Sequence, residues 1–231
     1  KTRPKLKPVI NEFAKDHKIG SLMGNMLFTR FFESTSYITD SIYNEHLQRF
    51  KIMTNYFKKY GEEYNFDYLM LAALGYQESR LDHTVKSNRG AVGVMQVLPS
   101  TAKDKNIGIT NIHEVDPNIH AGTKYLRFMT DRYFADEEGL DQLNRTLFAF
   151  ASYNAGPAKI ARLRKKAEKM GLDPNKWFNN VEIVAAKTIG RETVQYVSNI
   201  LKYYVAYKLI EDKLVTEEHV HLSGQTKKKK K

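Results

Sequence analysis

Cysteine is absent from all 231 residues. That removes disulfides, thiolate nucleophiles and cysteine-ligated metal sites together, and it fits any compartment. Long apolar runs are missing too: no stretch approaches the ~18 residues that span a bilayer. Alternating apolar and polar residues, the mark of half-buried strands, are scarce. No glycine-rich run is followed by Lys-Ser or Lys-Thr at the spacing that cradles phosphate. Metal-ligand patterns are thin as well. His113 and His120 make no ligand pair, and His219-Val220-His221 falls beside a polar tail. No signal peptide is visible and the first residue is not Met, as expected of a mature piece or an excised fragment.

What is present describes a globular chain with a real core. Hydrophobic residues make up 42%, and 14 Tyr and 12 Phe supply most of the aromatic content. The length suits one large domain, or a domain with an appendage. The net charge of +11 is concentrated at the ends: five charges lie in Lys227–Lys231 and four in Lys1, Arg3, Lys5 and Lys7. The body is therefore nearly neutral, and the basic residues inside it form no patterned stripe of the kind that binds nucleic acid. The lysine tail reads as a solvated end.

The pattern is almost entirely helical. Residues 9–33 hold two short helix-like runs broken at Gly20 and Gly24. Asp40-Ser41 can cap a helix with Ile42, His46, Phe50, Met53, Phe57 and Tyr60 on one face, ending at Gly61. Residues 82–98 are loop-like, and any sheet should be small and lie there. Pro99 can start a short helix, and Asp116-Pro117 reads as a cap followed by a first-turn proline. Its helix carries Ile119, Gly122, Leu126, Met129 and Tyr133 on one face. A helix from about Leu140 stops at Gly156-Pro157, and the next runs to Gly171. The last, about Arg191 to Asp212, carries Val194, Val197, Leu201, Tyr204 and Lys208 on one face. The sole Trp, Trp177, lies in the stretch 165–187 and reads as a packing residue or as one wall of a cleft.

Two segments carry chemistry. In the first, Asp67, Leu71, Leu74 and Glu78 recur at helical spacing, so a single carboxylate arrives at a helix C-terminus after apolar turns. Partial desolvation and the negative end of the helix dipole both disfavour its ionised form. A raised pKa suits a general acid near neutral pH. The plain alternative is a solvated residue where a helix runs out. Asp82 follows one turn later and fits a turn-closing role better than that of a catalytic partner. In the second segment, Tyr153 and Asn154 place a phenol and an amide at a helix end, suited to sugar hydroxyls and N-acetyl groups. Tyr-Asn before Gly-Pro is equally an ordinary helix termination.

Taken together, Glu78-Ser79, Gly93-Val94-Met95-Gln96 and Ala151-Ser152-Tyr153-Asn154-Ala155-Gly156-Pro157 occur in the order and approximate spacing of the Slt-type (family 1) lytic transglycosylases, over roughly residues 60–210. The chain resembles the catalytic domain of that family, and the membrane-bound F type in particular. The resemblance implies a mainly α, lysozyme-like fold with at most a small β-hairpin near the cleft. It implies cleavage of the MurNAc-β-1,4-GlcNAc bond of peptidoglycan glycan strands without a water nucleophile, leaving 1,6-anhydro-MurNAc ends. No cofactor is implied. Glu78 matches the single catalytic acid/base. Ser79, Ser87, Met95, Gln96, Tyr153 and Asn154 match positions that line or support the cleft, and Glu192 and Tyr196 match a C-terminal Glu-Thr-x-x-Tyr segment. Gly90 and Gly93 would permit a tight turn beneath the sugar.

The same resemblance divides the chain into residues 1–36, similar to the end of a solute-binding-type regulatory domain missing from the chain, a catalytic domain over 37–215, and a basic disordered tail over 216–231. It implies a periplasmic location, with outer-membrane association only through an anchor ahead of residue 1. Two rival functions share the motifs: hydrolysis of the kind performed by goose-type lysozymes, and non-catalytic binding of peptidoglycan as a scaffold.

Overall fold

The computed structural model describes residues 44–135 and 138–228, the last stretch, from 212, by its backbone path alone. The predicted runs over 9–33, the Asp40-Ser41 cap and the 1–36 segment lie outside the described residues. Helix α1 spans Asn44–Tyr64, α2 Tyr68–Ser79, α3 Pro99–Lys103, α4 Val115–Phe134, α5 Gln142–Ala155 and α6 Pro157–Lys169. A π-type turn over Trp177–Val181 leads into α7, Glu182–Ile189, and α8 runs Glu192–Lys228. No strand forms among the described residues. Only two isolated antiparallel bridges occur, Lys86 with Val92 and Val92 with Val97, in the segment where a small sheet was expected.

Helix α2 is the centre of this arrangement. Asp67 caps it, accepting from the Leu69 N–H at 2.9 Å. Leu69, Leu71, Ala72, Ala73, Leu74, Gly75 and Tyr76 are all buried, because α1 and α8 pack on it from two sides. Each fully buried large apolar side chain stabilises by about 1.5–3 kcal/mol, so packing holds α2 firmly through its last turn, where Tyr76 and Ser79 are buried. Around it, Phe50 of α1 stacks on Tyr207 of α8 with centroids 4.4 Å apart. Helix α5 packs against α4, α6 and α8.

Three local expectations are corrected. Helix α1 does not end at Gly61. It continues to Tyr64, and Asn65 takes the left-handed conformation (φ 55°). Phe66 N–H donates to Gly61 C=O at 2.8 Å and Asn65 N–H to Glu62 C=O at 3.4 Å, the paired bonds that close a helix around an αL residue. Helix α4 starts two residues before Pro117, after an extended Glu114. Asp116 is not its cap, because its carboxylate accepts from the Tyr60 hydroxyl at 2.6 Å. Helix α8 buries Tyr196, Val197, Ile200, Tyr203, Ala206, Tyr207 and Ile210. The face expected at Val194, Leu201 and Tyr204 lies half-buried beside that stripe. Its backbone also runs beyond Asp212 into the stretch expected as tail. Trp177 is fully buried and edge-on to Phe148, 6.0 Å between centroids, so it belongs to the core.

Candidate active site

Glu78 sits in the last turn of α2, half-buried, at the carbonyl end of the helix. Burial pushes its carboxyl up to about 7, against an opposing hydrogen bond from Tyr196. That bond runs from the Tyr196 hydroxyl to Glu78 Oε1, across 118 residues of sequence, and is possible because α8 packs along α2. Tyr196 is buried, and its phenol is pushed well above 10 by burial and by the charge of Glu78. It therefore stays a donor at every physiological pH. Tyr153 is shifted in the same direction, first by burial and then by Glu78.

The chain leaves α2 through two consecutive left-handed residues, Arg80 and Leu81, both at φ 57°. Arg80 is held by a 3.0 Å hydrogen bond to the Tyr203 hydroxyl and lies over the Tyr76 ring at 4.8 Å. Arg49 of α1 reaches its carbonyl. Asp82, next in line, is turned elsewhere. Its Oδ1 accepts from Thr84 N–H at 2.9 Å and Thr84 Oγ1 at 2.7 Å, and its Oδ2 pairs with Arg49 at 3.3 Å. These contacts, the Thr84 hydroxyl first, hold its carboxyl below the usual range.

Residues 82–98 form the floor beside Glu78. Ser79 is buried, and its hydroxyl donates to Val94 C=O at 2.9 Å and Gly75 C=O at 3.2 Å. It thus ties α2 to the floor rather than facing solvent. Met95 is fully buried. Its N–H donates to Asn118 Oδ1 at 2.8 Å and its C=O accepts from Tyr153 Oη at 2.7 Å. A Cβ on Gly122 would come within 2.6 Å of Met95 Cβ, so glycine there lets the floor seat on α4. Gln96 adopts φ 46°, and its amide donates to Val85 and Gly93 carbonyls at 3.0 and 2.9 Å. Gly93 itself is at φ 77°, and a side chain would meet Asn118 Nδ2 at 2.6 Å. Ser87 closes its own turn by accepting from Ala91 N–H at 3.0 Å.

The remaining predicted residues divide. Asn154 joins the site's frame: its Oδ1 accepts from Thr193 Oγ1 at 2.7 Å, linking the end of α5 to the start of α8. Glu192 is exposed in the first turn of α8 and makes no side-chain hydrogen bond among the described residues. Sequence reasoning missed Asn118. It is fully buried on α4 and serves Met95 N–H, Val92 C=O and Ile112 C=O at 2.8, 2.9 and 2.9 Å. It also missed Thr193, Arg80 with Tyr203, and Tyr125, whose ring meets Tyr153 edge-on at 5.7 Å. No cluster of His, Asp or Glu among the described residues is arranged to hold a metal.

Comparison with known proteins bears on this geometry. The family model described as Transglycosylase SLT domain matches residues 55–178. The membrane-bound lytic murein transglycosylase F of Pseudomonas fluorescens is 33% identical over 212 residues, 84% of this chain and 43% of that protein. The protein of the same name from Desulfosudis oleivorans is 37% identical over 160 residues, 64% and 34% of the two chains. The chain thus spans under half the length of these relatives. An inactive mutant of the lytic transglycosylase Slt from Pseudomonas aeruginosa shares the fold, with TM-score 0.51 at 21% identity over 89% of this chain and 28% of that one.

Proposed function

This chain belongs to the Transglycosylase SLT domain family, and we propose that it is a lytic transglycosylase acting on peptidoglycan, with Glu78 as its one acid/base. The observation that supports this reading most is the state of Glu78. Its carboxyl is raised to about 7 by burial, with no charged neighbour contributing, so near neutral pH about half of it carries the proton that a general acid must give. Tyr196 occupies Oε1, leaving Oε2 to face the glycosidic oxygen.

In the proposed reaction Glu78 protonates that oxygen as the C1–O bond breaks. The substrate's own 2-acetamido group assists at C1. The Glu78 carboxylate then takes the proton from the C6 hydroxyl as O6 closes on C1, which gives the 1,6-anhydro end and restores the acid. A retaining hydrolase with a protein nucleophile would need a second carboxylate about 5 Å away. Asp82 is committed to Thr84 and Arg49, which supports the substrate-assisted route. Tyr153, bonded to Met95 C=O, and Asn154, bonded to Thr193, stand at the end of α5 beside the floor, and Ser87 and Gln96 offer polar edges along it.

The curated relatives are named membrane-bound, and no helix among the described residues is long and apolar enough to cross a membrane. The reading places the activity in the periplasm, on the cell-wall glycan.

Mass spectrometry of products released from purified sacculi tests the reaction. Fragments one water lighter than hydrolysis products, absent with Glu78→Gln, are expected. Reducing ends would make the enzyme a hydrolase. Binding to sacculi with no fragments would point to a scaffold.

A further inference from the structure

Taking the nine cations of the two ends from the net charge of +11 leaves only +2 for residues 9–226. Helix α6 alone carries +5, from six cations and Glu168, so the rest of that stretch is net negative. Five of the six cations are exposed: Lys159, Arg162, Lys165, Lys166 and Lys169. At about 100° per residue they fall within an arc of about 120° around the helix. Ile160, Leu163, Arg164 and Ala167 take the opposite side and are buried. Along the chain the cations are interrupted by Ala161, Leu163 and Ala167. They become a stripe only when the helix gathers them.

This charge is not neutralised within the fold. None of the five forms an ion pair among the described residues. Lys166 Nζ donates to Thr188 Oγ1 at 3.0 Å, which joins the face to the end of α7, where Lys187 is also exposed. Glu168 is the one acid on α6, and it projects at the edge of the arc.

The shape and composition of the face select among anionic partners. It is the outer side of one helix, about 20 Å long, and suits a flat partner. Residues 157–169 contain no aromatic side chain, so the face lacks the stacking platform used for single-stranded nucleic acid. At its C-terminal end Met170 is 46% exposed, an apolar side chain beside the cations. Clusters of about four to eight Lys or Arg on a helix attract anionic headgroups, and the attraction grows with each charge that reaches the surface.

We propose that the exposed face of α6 is a docking surface for a bilayer of anionic lipids. Headgroup phosphates meet Lys159, Arg162, Lys165 and Lys169, and Met170 enters the interface. The contact acts in addition to any anchor and is independent of the glycan-cleaving reading. Helix α6 follows Tyr153 and Asn154 after Ala155 and Gly156 and packs on α5. A bilayer bound here would therefore hold the end of α5 in one orientation towards the lipid.

The test is co-sedimentation of the full chain with vesicles of phosphatidylcholine alone or mixed equally with phosphatidylglycerol. Lys1, Arg3, Lys5, Lys7 and Lys227–Lys231 are first changed to Gln, so that the ends cannot supply the attraction. This parent should bind the anionic vesicles at least about tenfold more tightly than the neutral ones. Raising salt from ~0.1 M to ~0.5 M should release it. Arg162→Gln, Lys165→Gln and Lys169→Gln together should remove the preference. The charge-keeping exchange Arg162→Lys, Lys165→Arg and Lys169→Arg should retain it. A preference that vanishes once the ends are neutralised, survives the Gln triple, or is lost equally in the charge-keeping exchange overturns the proposal. So would binding to a DNA duplex or to sacculi in place of vesicles, lost in the same triple, which would assign the face to another polyanion.

Discussion

Glu78 and Asp82 are carboxylates one helical turn apart in sequence, and the structure moves them in opposite directions. Glu78 ends a helix packed by α1 and α8. It is half-buried, faces a phenol and no cation, and holds its proton to about pH 7. Asp82 lies just past two left-handed residues that swing the chain outward. Its side chain is 28% exposed, paired with Arg49 and bonded to Thr84, and is held ionised. Four residues separate a carboxyl that holds its proton to near neutral pH from one held as an anion. Local composition does not decide this. What decides it is which side of the Arg80–Leu81 turn the residue falls on.

Substitutions at the two positions should therefore separate sharply. Glu78→Gln keeps shape and the acceptor for Tyr196, and it should lower the rate of glycan cleavage by about 10³-fold or more, in line with loss of a general acid. Asp82→Asn should leave the rate within about threefold and cost at most about 1 kcal/mol of stability, since its ion pair is partly solvated. Comparable rate losses at both positions would break the contrast.

Next in size is the floor. Asn118→Ala would strand Met95 N–H and Ile112 C=O, while Val92 C=O keeps the Val97 N–H, and each unsatisfied group costs about 1–3 kcal/mol. A loss of about 3 kcal/mol or more in chemical denaturation is expected, with activity falling because Met95 and Gln96 lose their seat. A loss below 1 kcal/mol would show that the floor does not depend on Asn118. Tyr196→Phe should have a smaller effect, about tenfold on rate. Its signature is a shift of the alkaline limb of the pH–rate profile to higher pH, because the lost hydrogen bond had opposed the rise in the Glu78 pKa. A limb that stays in place or moves down would remove Tyr196 from the control of Glu78.

A separate effect is on stability. Glu78 binds its proton more tightly folded than unfolded, where its pKa is about 4.3. Folding therefore takes up a proton between about pH 4.3 and 7, and stability falls as pH rises through that window. Above pH 7 the penalty reaches at most about 4 kcal/mol. Glu78→Gln should then melt a few degrees higher than wild type at pH 8 and at nearly the same temperature at pH 4. Equal differences at both pH values would mean that Glu78 is not desolvated.

The comparison also explains what could be read from sequence. The helix ending at Glu78 was legible because apolar residues fill it and a lone acid ends it. The floor motif and Tyr153 were legible as ordered short segments, and Asp82 as a turn closer because it follows the helix end. Asn118 was not, since one polar residue in an amphipathic helix reads as surface until the loop it serves is folded against it. The buried face of α8 was displaced because apolar residues surround much of that helix, and packing on α2 and its neighbours selects the stripe with Tyr196 and Tyr203. Asp116-Pro117 reads as a cap, yet Tyr60, 56 residues earlier, claims the carboxylate. In each case the missing information is a contact made across distant sequence.

The central claim is that packing of α1 and α8 around α2 turns Glu78 into an acid that works at neutral pH. Titration of its side-chain carboxyl by carbon-13 NMR tests this most directly. A midpoint near 7 in the wild-type protein, rising further in Tyr196→Phe, is the expected result. A midpoint near 4.3, unmoved by that substitution, would contradict it.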